Sequence, residues 1–136
     1  MSYQIYSDGA SRGNPGPAGI GAVILDDKGK TVHEIAKYIG ETTNNVAEYE
    51  ALLAALDYCV KKKISPVEIL ADSQLLIKQL SGEYRVKHEN IKPLYQKAQG
   101  YLTHLQVTGY KHVPRELNKA ADKLANRGID QHFGNQ

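Results

Sequence analysis

Hydrophobic and polar positions in the first 40 residues follow the patterns of β-strands. Residues 3–6 are β-prone, residues 19–25 form an almost wholly apolar run, and two sets of side chains alternate over residues 31–39. A polar segment containing Gly29 separates the last two stretches, and a glycine there can adopt the positive φ of a hairpin turn. Three strands with short links predict an antiparallel meander.

In the rest of the chain, apolar residues mostly recur at helical spacing. The pattern predicts helices over residues 47–60, 74–80, 91–102 and 119–129, with short strands over 67–71 and 106–113. Candidate N-caps precede the first of these helices at positions 42–45, and Asn118 is expected to cap the last one. We therefore predict one domain over residues 1–130, followed by a polar, flexible tail over residues 131–136.

The order of these elements, β-β-β-α-β-α-α-β-α, indicates the fold class. A meander followed by alternating strands and helices predicts an α/β protein with a five-stranded mixed sheet and helices on both faces. The fourth and fifth strands need helical crossovers, so we expect them to run parallel to the first.

Composition indicates the cellular compartment more clearly than it indicates the function. The chain has 136 residues and a net charge of +2, which is too small to indicate nucleic-acid binding by itself. Its single cysteine, Cys59, lies in an apolar helical stretch and is expected to be a core residue in a reducing compartment. No secretory leader or membrane-spanning run is evident, so we expect a cytoplasmic protein.

Two acids, Asp8 and Asp72, are each expected to end a predicted strand, and Asp8 precedes a glycine-rich stretch that is open to close approach. If these strands are parallel neighbours, both acids lie at the carboxyl edge of the sheet, where α/β proteins bind ligands. Glu48 and Asp122 lie one turn into predicted helices that can return to the same edge.

Each of these acids also has an ordinary structural explanation. Asp72 is suited to be an N-cap, and acids in first helical turns interact favourably with the helix dipole. However, apolar residues bracket Glu48 and Asp122 in the sequence, which places both acids inward or at a face boundary. Carboxylates gathered without cations repel and raise one another's pKa, so four together indicate a divalent-metal site, and oxygen-only ligands favour Mg²⁺ or Mn²⁺.

Four segments together resemble type 1 ribonuclease H, and they occur in that family's order. They are DGASRGNPG at residues 8–16, TNNVAE at 43–48, ADSQ at 71–74 and NKAADKLA at 118–125. The resemblance extends from about residue 3 to residue 129. It implies a ribonuclease H-like fold with strand order 3-2-1-4-5, and hydrolysis of the RNA strand of an RNA–DNA hybrid to 5′-phosphate and 3′-hydroxyl ends.

The resemblance also assigns roles to residues. Two Mg²⁺ ions are implied, with Mn²⁺ as a substitute: Asp8 matches the acid that bridges both metals, Glu48 and Asp72 match ligands of one, and Asp122 matches the ligand beside the attacking water. The segments that match substrate-contacting positions contribute Gly9, Ser11, Asn14, Thr43, Asn44 and Gln74. Within this group, Asn14 and Thr43 match a pocket for a DNA-strand phosphate, and helix capping is a second role open to Thr43 and Asn44. The protein is expected to act as a monomer without a membrane or protein partner.

Two departures from the family pattern affect the expected details. Many members carry a histidine on a loop before the last acid; here Arg115 is the better candidate for that catalytic role, as in a subgroup with arginine there, because His112 lies inside the fifth predicted strand. Binding of phosphate alone is the other role open to Arg115. The basic insertion of some members is replaced by a short connector, residues 83–90.

Three other functions compete with hybrid hydrolysis. A non-catalytic nucleic-acid-binding domain of this fold is disfavoured because all four acids are present. A nuclease for another duplex, such as double-stranded RNA, is disfavoured by the matches at Thr43, Asn44 and Gln74. A small-molecule phosphatase would need an acid pair or hydroxyl nucleophile with a lysine, and the sequence offers no convincing set.

Overall fold

The computed structural model describes residues 2–134 and contains one five-stranded mixed sheet. Its strands are β1 (Tyr3–Ser11), β2 (Gly16–Leu25), β3 (Thr31–Thr42), β4 (Val67–Ala71) and β5 (Val107–His112). Its helices are α1 (Asn44–Lys62), α2 (Gln74–Leu80), α3 (Lys92–Leu102) and α4 (Lys119–Gly134), with a 3₁₀ turn over Arg115–Leu117.

The strand order is β3-β2-β1-β4-β5, as the ribonuclease H resemblance implied. β1, β2 and β3 form the predicted antiparallel meander, while β4 runs parallel to β1 and β5 runs parallel to β4. Gly29 has the positive φ, 78°, expected of the hairpin turn.

The helices cover both faces of the sheet, as predicted. A Cβ on Gly9 would collide with the backbone of α1, whereas a Cβ on Gly21 would collide with that of α4. Gly9 and Gly21 lie at successive pair positions of β1 and β2, where side chains alternate between faces. The main core fills the space between the sheet, α1 and α3, and Cys59 is fully buried in it as expected.

Several predicted element ends differ from the structure, and the two largest differences involve partners distant in the sequence. β1 does not end at Asp8: its antiparallel pairing with β2 continues to Ser11, so the open loop after it is short. β2 also begins earlier than predicted, at Gly16, and β3 ends later, at Thr42. The last helix does not end near Ile129 but reaches Gly134, where Tyr38 of β3 stacks on His132 at 3.9 Å. Residues 131–134 of the predicted tail are therefore helical, and residues 135–136 lie outside the described residues.

None of the helices within residues 2–134 combines the length and apolar character needed to cross a bilayer. The cytoplasmic setting and the single-domain organisation remain predictions.

Candidate active site

Asp8 and Asp72 are neighbours because the parallel pairing of their strands ends just before them. The last pair of β1 and β4 is Ser7 with Ala71, so each acid is the first residue beyond it. Asp8 continues in register with Gly21 of β2, which holds its backbone in the sheet although β4 has ended. The two carboxyl groups thus share the carboxyl edge of the sheet, as the sequence predicted.

Glu48 reaches the same edge because α1 begins directly against β1. The Thr43 hydroxyl caps α1 by accepting a hydrogen bond from the Val46 amide at 3.3 Å. Gly9 permits the close approach, since a Cβ there would lie 2.2 Å from the carbonyl carbon of Ala47. Replacing Gly9 would therefore move the turn that carries Glu48.

Asp8, Glu48 and Asp72 form a compact cluster of oxygen ligands. One carboxylate oxygen from each can be chosen so that all three lie within 4.8 Å of one another. Oxygen Oε2 of Glu48 is buried and has no hydrogen-bond partner among the described residues. A buried acceptor without a donor is costly, and a hard divalent cation would satisfy it. The donor set therefore fits Mg²⁺ or Mn²⁺.

Burial and mutual repulsion disfavour simultaneous ionisation of these acids. Burial first, and then the negative charge of Asp72, raise the pKa of Asp8 to about 7. Burial and the charge of Asp8 also raise the pKa of Glu48 well above its ordinary value. At neutral pH, a cation in the cluster would remove the repulsion and replace the shared protons.

Asp122 joins the site from α4, on the other side of Asp8. It is not one of the three clustered acids, but it lines the same hollow as Asp8 and helps to raise the pKa of that residue. Its own carboxylate accepts a hydrogen bond from the amide nitrogen of Asn126, one turn further along α4, at 3.4 Å. The structure thus brings all four predicted acids together, with Asp122 beside the triad rather than within it.

Asn118 was expected to cap the last helix, but in the structure it belongs to the acidic site. Its side chain is not directed at the helix it was expected to cap: its Nδ2 donates to the backbone oxygen of Ser7 at 3.0 Å and to Oδ1 of Asp72 at 3.3 Å. Asn118 is only 1% exposed. It therefore links β1 to the Asp72 carboxylate, a contact 46 residues apart that sequence periodicity does not reveal.

Arg115 and His112, the two candidates before Asp122, lie in different places beside the site. Arg115 is exposed and lines a hollow of about 420 Å³ together with all four acids. His112 is the last residue of β5, and its Nε2 lies 3.2 Å from the backbone oxygen of Asp72. Of the two, Arg115 is the one that lines the acidic hollow.

The predicted substrate residues fall into three groups. Gly9, Ser11 and Asn44 line the acidic hollow, where the amide of Ser11 donates to the Asn44 side chain at 2.9 Å. Asn14 and Thr43 line a separate hollow of about 200 Å³. Gln74 is exposed at the start of α2 and lines neither of these hollows.

A third hollow shares lining residues with each of the other two. It has a volume of about 250 Å³ and is lined by residues of α1, α2 and the connector. It shares Glu48 with the acidic hollow, and His88 and Ile91 with the hollow of Asn14 and Thr43. Arg85 and Lys87 also line it, so two basic residues lie on the same side of the molecule as the acids.

A sheet in this order with acids at its carboxyl edge is typical of ribonuclease H-like nucleases, and comparison with known proteins agrees. Residues 6–128 match the model of a family described as reverse transcriptase-like. A bifunctional protein of Mycobacterium tuberculosis is 44% identical over 131 residues, which cover 96% of this chain and 36% of the relative. The chain thus spans about a third of the length of the mycobacterial relatives it matches.

Solved structures are similar over nearly the whole chain. The ribonuclease H1 of Halobacterium salinarum is 40% identical with a TM-score of 0.92, covering 96% of this chain and 99% of that one. A second structure, LC11 ribonuclease H1 in complex with an RNA/DNA hybrid, is 45% identical with a TM-score of 0.90 over 96% of this chain and 99% of that one. The chain belongs to the ribonuclease H family.

Proposed function

We propose that this protein is a metal-dependent endoribonuclease that hydrolyses the RNA strand of RNA–DNA hybrids and leaves 5′-phosphate and 3′-hydroxyl ends. The observation that carries the proposal is the oxygen cluster of Asp8, Glu48 and Asp72, within 4.8 Å, with Asp122 lining the same hollow. A family member of 45% identity has been seen in complex with an RNA/DNA hybrid, which supports the choice of substrate.

The four acids would hold two Mg²⁺ ions, or Mn²⁺ in their place. Asp8 has acidic neighbours on both sides and is the natural bridge, Glu48 and Asp72 would complete one site, and Asp122 would complete the other. When bound, such a pair of ions supplies a nucleophilic water at neutral pH and stabilises charge on the leaving 3′ oxygen. All four acids come from one chain, so we propose that the monomer is active.

The neighbouring residues would bind the two strands. The backbone at Gly9 and Ser11 and the side chain of Asn44 line the acidic hollow and would contact the RNA strand, whose 2′-hydroxyls distinguish it from DNA. Asn14 and Thr43, in the adjacent hollow, would bind a DNA-strand phosphate. Gln74 would contact the hybrid from the start of α2.

Arg115 would act on the product side of the reaction. Arg115 is exposed and lines the hollow that holds the four acids, where its guanidinium would be suited to bind a charged phosphate and assist product release. An Arg115→Ala variant should lower steady-state turnover more than the first turnover. If both rates fall equally, Arg115 acts in phosphate binding or chemistry instead.

Cleavage of four labelled duplexes or strands tests the proposal. The protein is incubated with an RNA–DNA hybrid, single-stranded RNA, double-stranded RNA or duplex DNA, with Mg²⁺ or Mn²⁺, beside an Asp8→Asn variant. Cleavage confined to the RNA of the hybrid, absent from the variant, supports it. Binding without cleavage would make the protein a nucleic-acid-binding domain, and preferential cutting of double-stranded RNA would assign it another substrate.

A further inference from the structure

One side of α4 carries three polar residues at a spacing of four, and a fourth precedes the helix by the same interval. Asp122, Asn126 and Asp130 lie in one row along the helix, and Asn118 lies directly before its first residue. Asp122 is the acid that completes the active site, and Asn118 already contacts Asp72. The contacts of the other two residues, Asn126 and Asp130, lead away from the acids to Arg12.

Arg12 lies just after β1 and is held by both of these residues. Its Nη1 is 2.8 Å from Oδ1 of Asp130, and its Nη2 donates to Oδ1 of Asn126 at 3.1 Å. Arg12 and Asn126 both line the acidic hollow. The loop between β1 and β2 is therefore fastened to α4 beside the site.

The contact with Arg12 determines which way the Asn126 amide faces. A guanidinium can only donate hydrogen bonds, so the Asn126 atom beside it must be the oxygen. The amide nitrogen then faces the preceding turn, where it donates to the backbone oxygen of Asp122 at 3.0 Å and to its carboxylate Oδ1 at 3.4 Å. The acceptors of Asp122 favour the same orientation, and Arg12 reinforces it by holding the amide oxygen on the opposite side.

We propose that Asn126 is a positioning residue for the metal ligand Asp122, and that Arg12 acts through it by fixing the orientation of its amide. The donor occupies one oxygen of Asp122, and this limits rotation of the carboxylate. Hydrogen bonds of this kind from outside the ligand set orient metal ligands, and their removal typically lowers metal affinity or activity by about 10- to 100-fold. The proposal rests on the proposed function, because it takes Asp122 to be a metal ligand.

Metal binding without substrate tests this role, since Arg12 could also touch the hybrid. Mn²⁺ is titrated calorimetrically into wild type, Asn126→Ala, Arg12→Ala and the double variant, and the Mg²⁺ dependence of hybrid cleavage is measured alongside. We expect Asn126→Ala to weaken Mn²⁺ binding and raise the half-saturating Mg²⁺ concentration by about 10-fold or more. Arg12→Ala should have a smaller effect of the same kind, and the double variant should match Asn126→Ala because the two residues act in series.

Controls separate positioning from folding and from the proposed function itself. Lys123→Ala changes an exposed residue of the same helix and should leave metal binding unchanged. Melting temperatures are recorded for every variant, and Arg12→Ala, at an exposed position, keeps the test available if Asn126→Ala does not fold. Wild-type metal affinity in Asn126→Ala or in Arg12→Ala, or additive effects in the double variant, would overturn the proposal. A wild-type protein that binds no divalent ion would instead overturn the proposed function.

Discussion

Asp8 stands between the other acids of the site, and its environment suits a metal ligand better than a free carboxylate. Only 6% of the residue is exposed, and burial together with the charge of Asp72 raises its pKa to about 7. Near neutral pH, the carboxyl group is therefore partly protonated unless a cation replaces the proton. Divalent ions should accordingly bind more tightly as the pH rises through this value.

The same raised pKa predicts how stability depends on pH without metal. The folded-state pKa of Asp8 lies above its unfolded value of 3.8, so its stabilising contribution is complete below pH 3.8 and is lost as the pH rises through about 7. Glu48, whose pKa is also raised, acts in the same direction. In a chelator, the urea midpoint should fall from pH 5 to pH 8, and added Mg²⁺ should restore it.

The lowered pKa values of Asp26 and Asp57 do not oppose this trend in the tested range. Their contributions are lost only as the pH falls below 3.8, the ordinary value for aspartate. A midpoint that stays constant or rises between pH 5 and pH 8 in chelator would contradict the proposed repulsion among the acids.

Replacing Asp8 should have opposite effects on thermal stability and on cleavage activity. Asp8→Asn keeps the size of the side chain but removes a buried charge, so the metal-free variant should melt higher than wild type at pH 8. Cleavage of the hybrid should fall by more than about 100-fold, the upper range for removal of an outer partner of a metal ligand. Calorimetric melting and a cleavage assay measure the two effects, and a destabilised or active variant would contradict this account.

At the scale of elements, two glycines set how closely the helices approach the site. A Cβ on Gly21 would lie 2.1 Å from the Ala121 carbonyl oxygen and 2.5 Å from the Ala125 amide nitrogen. Ala121 directly precedes Asp122, so this close contact between β2 and α4 also sets the distance of Asp122 from the sheet. Gly9 plays the matching part for α1 and Glu48.

Gly21→Ala should therefore damage both folding and the site. Because backbone atoms occupy the space, we expect the free energy of unfolding to fall by about 3 kcal/mol or more, at the upper end for overpacking. Gly100→Ala is the matched control: nothing lies within 4 Å of its Cβ in α3, so it should stabilise by about 0.5–1 kcal/mol. Urea unfolding of both variants measures this, and a neutral Gly21→Ala would show that α4 is loosely packed.

Most of the helices and strands could be predicted, because hydrophobic spacing, capping and motifs each involve residues that are close in the sequence. Helical spacing indicated α1, α2 and α3, and the family motifs pointed to all four acids. Thr43, one of the candidate N-caps, does cap α1 by accepting a bond from the Val46 amide. Ser73, rather than Asp72, caps α2 by accepting a bond from the Leu76 amide.

The features that could not be predicted depend on contacts between distant segments. β1 extends past Asp8 because β2 pairs with it, and α4 is long because Tyr38 stacks on its last turn. Asn118 resembled a helix cap in the sequence, but its amide lies between Ser7 and Asp72. The link from Arg12 to Asn126 spans 114 residues and has no local signal.

At the scale of the whole molecule, the three hollows form one face that could follow a duplex. The acidic hollow adjoins the connector hollow at Glu48, and this adjoins the hollow of Asn14 and Thr43 at His88. Arg85 and Lys87 line the middle hollow. We infer that they bind phosphates of the hybrid away from the bond that is cut.

Removing these two charges should weaken substrate binding but not catalysis. For Arg85→Ala combined with Lys87→Ala, we expect a higher KM, an unchanged kcat, and a shallower dependence of log KM on log salt. The slope should decrease by about 0.7–0.9 for each phosphate that the variant no longer neutralises. Lys62→Ala is the control, since Lys62 lies at the far end of α1 from the site. An unchanged salt slope would exclude the connector from the substrate interface.

The position of bound metal tests the central claim most directly. Crystals of the wild-type protein are soaked in Mn²⁺, and its anomalous scattering locates the ions without reference to activity. We predict a peak in contact with carboxylate oxygens of Asp8, Glu48 and Asp72, with a second between Asp8 and Asp122 when the hybrid is bound. Saturating Mn²⁺ that leaves these acids without a peak, or that binds only elsewhere, would contradict the assignment of a catalytic metal centre.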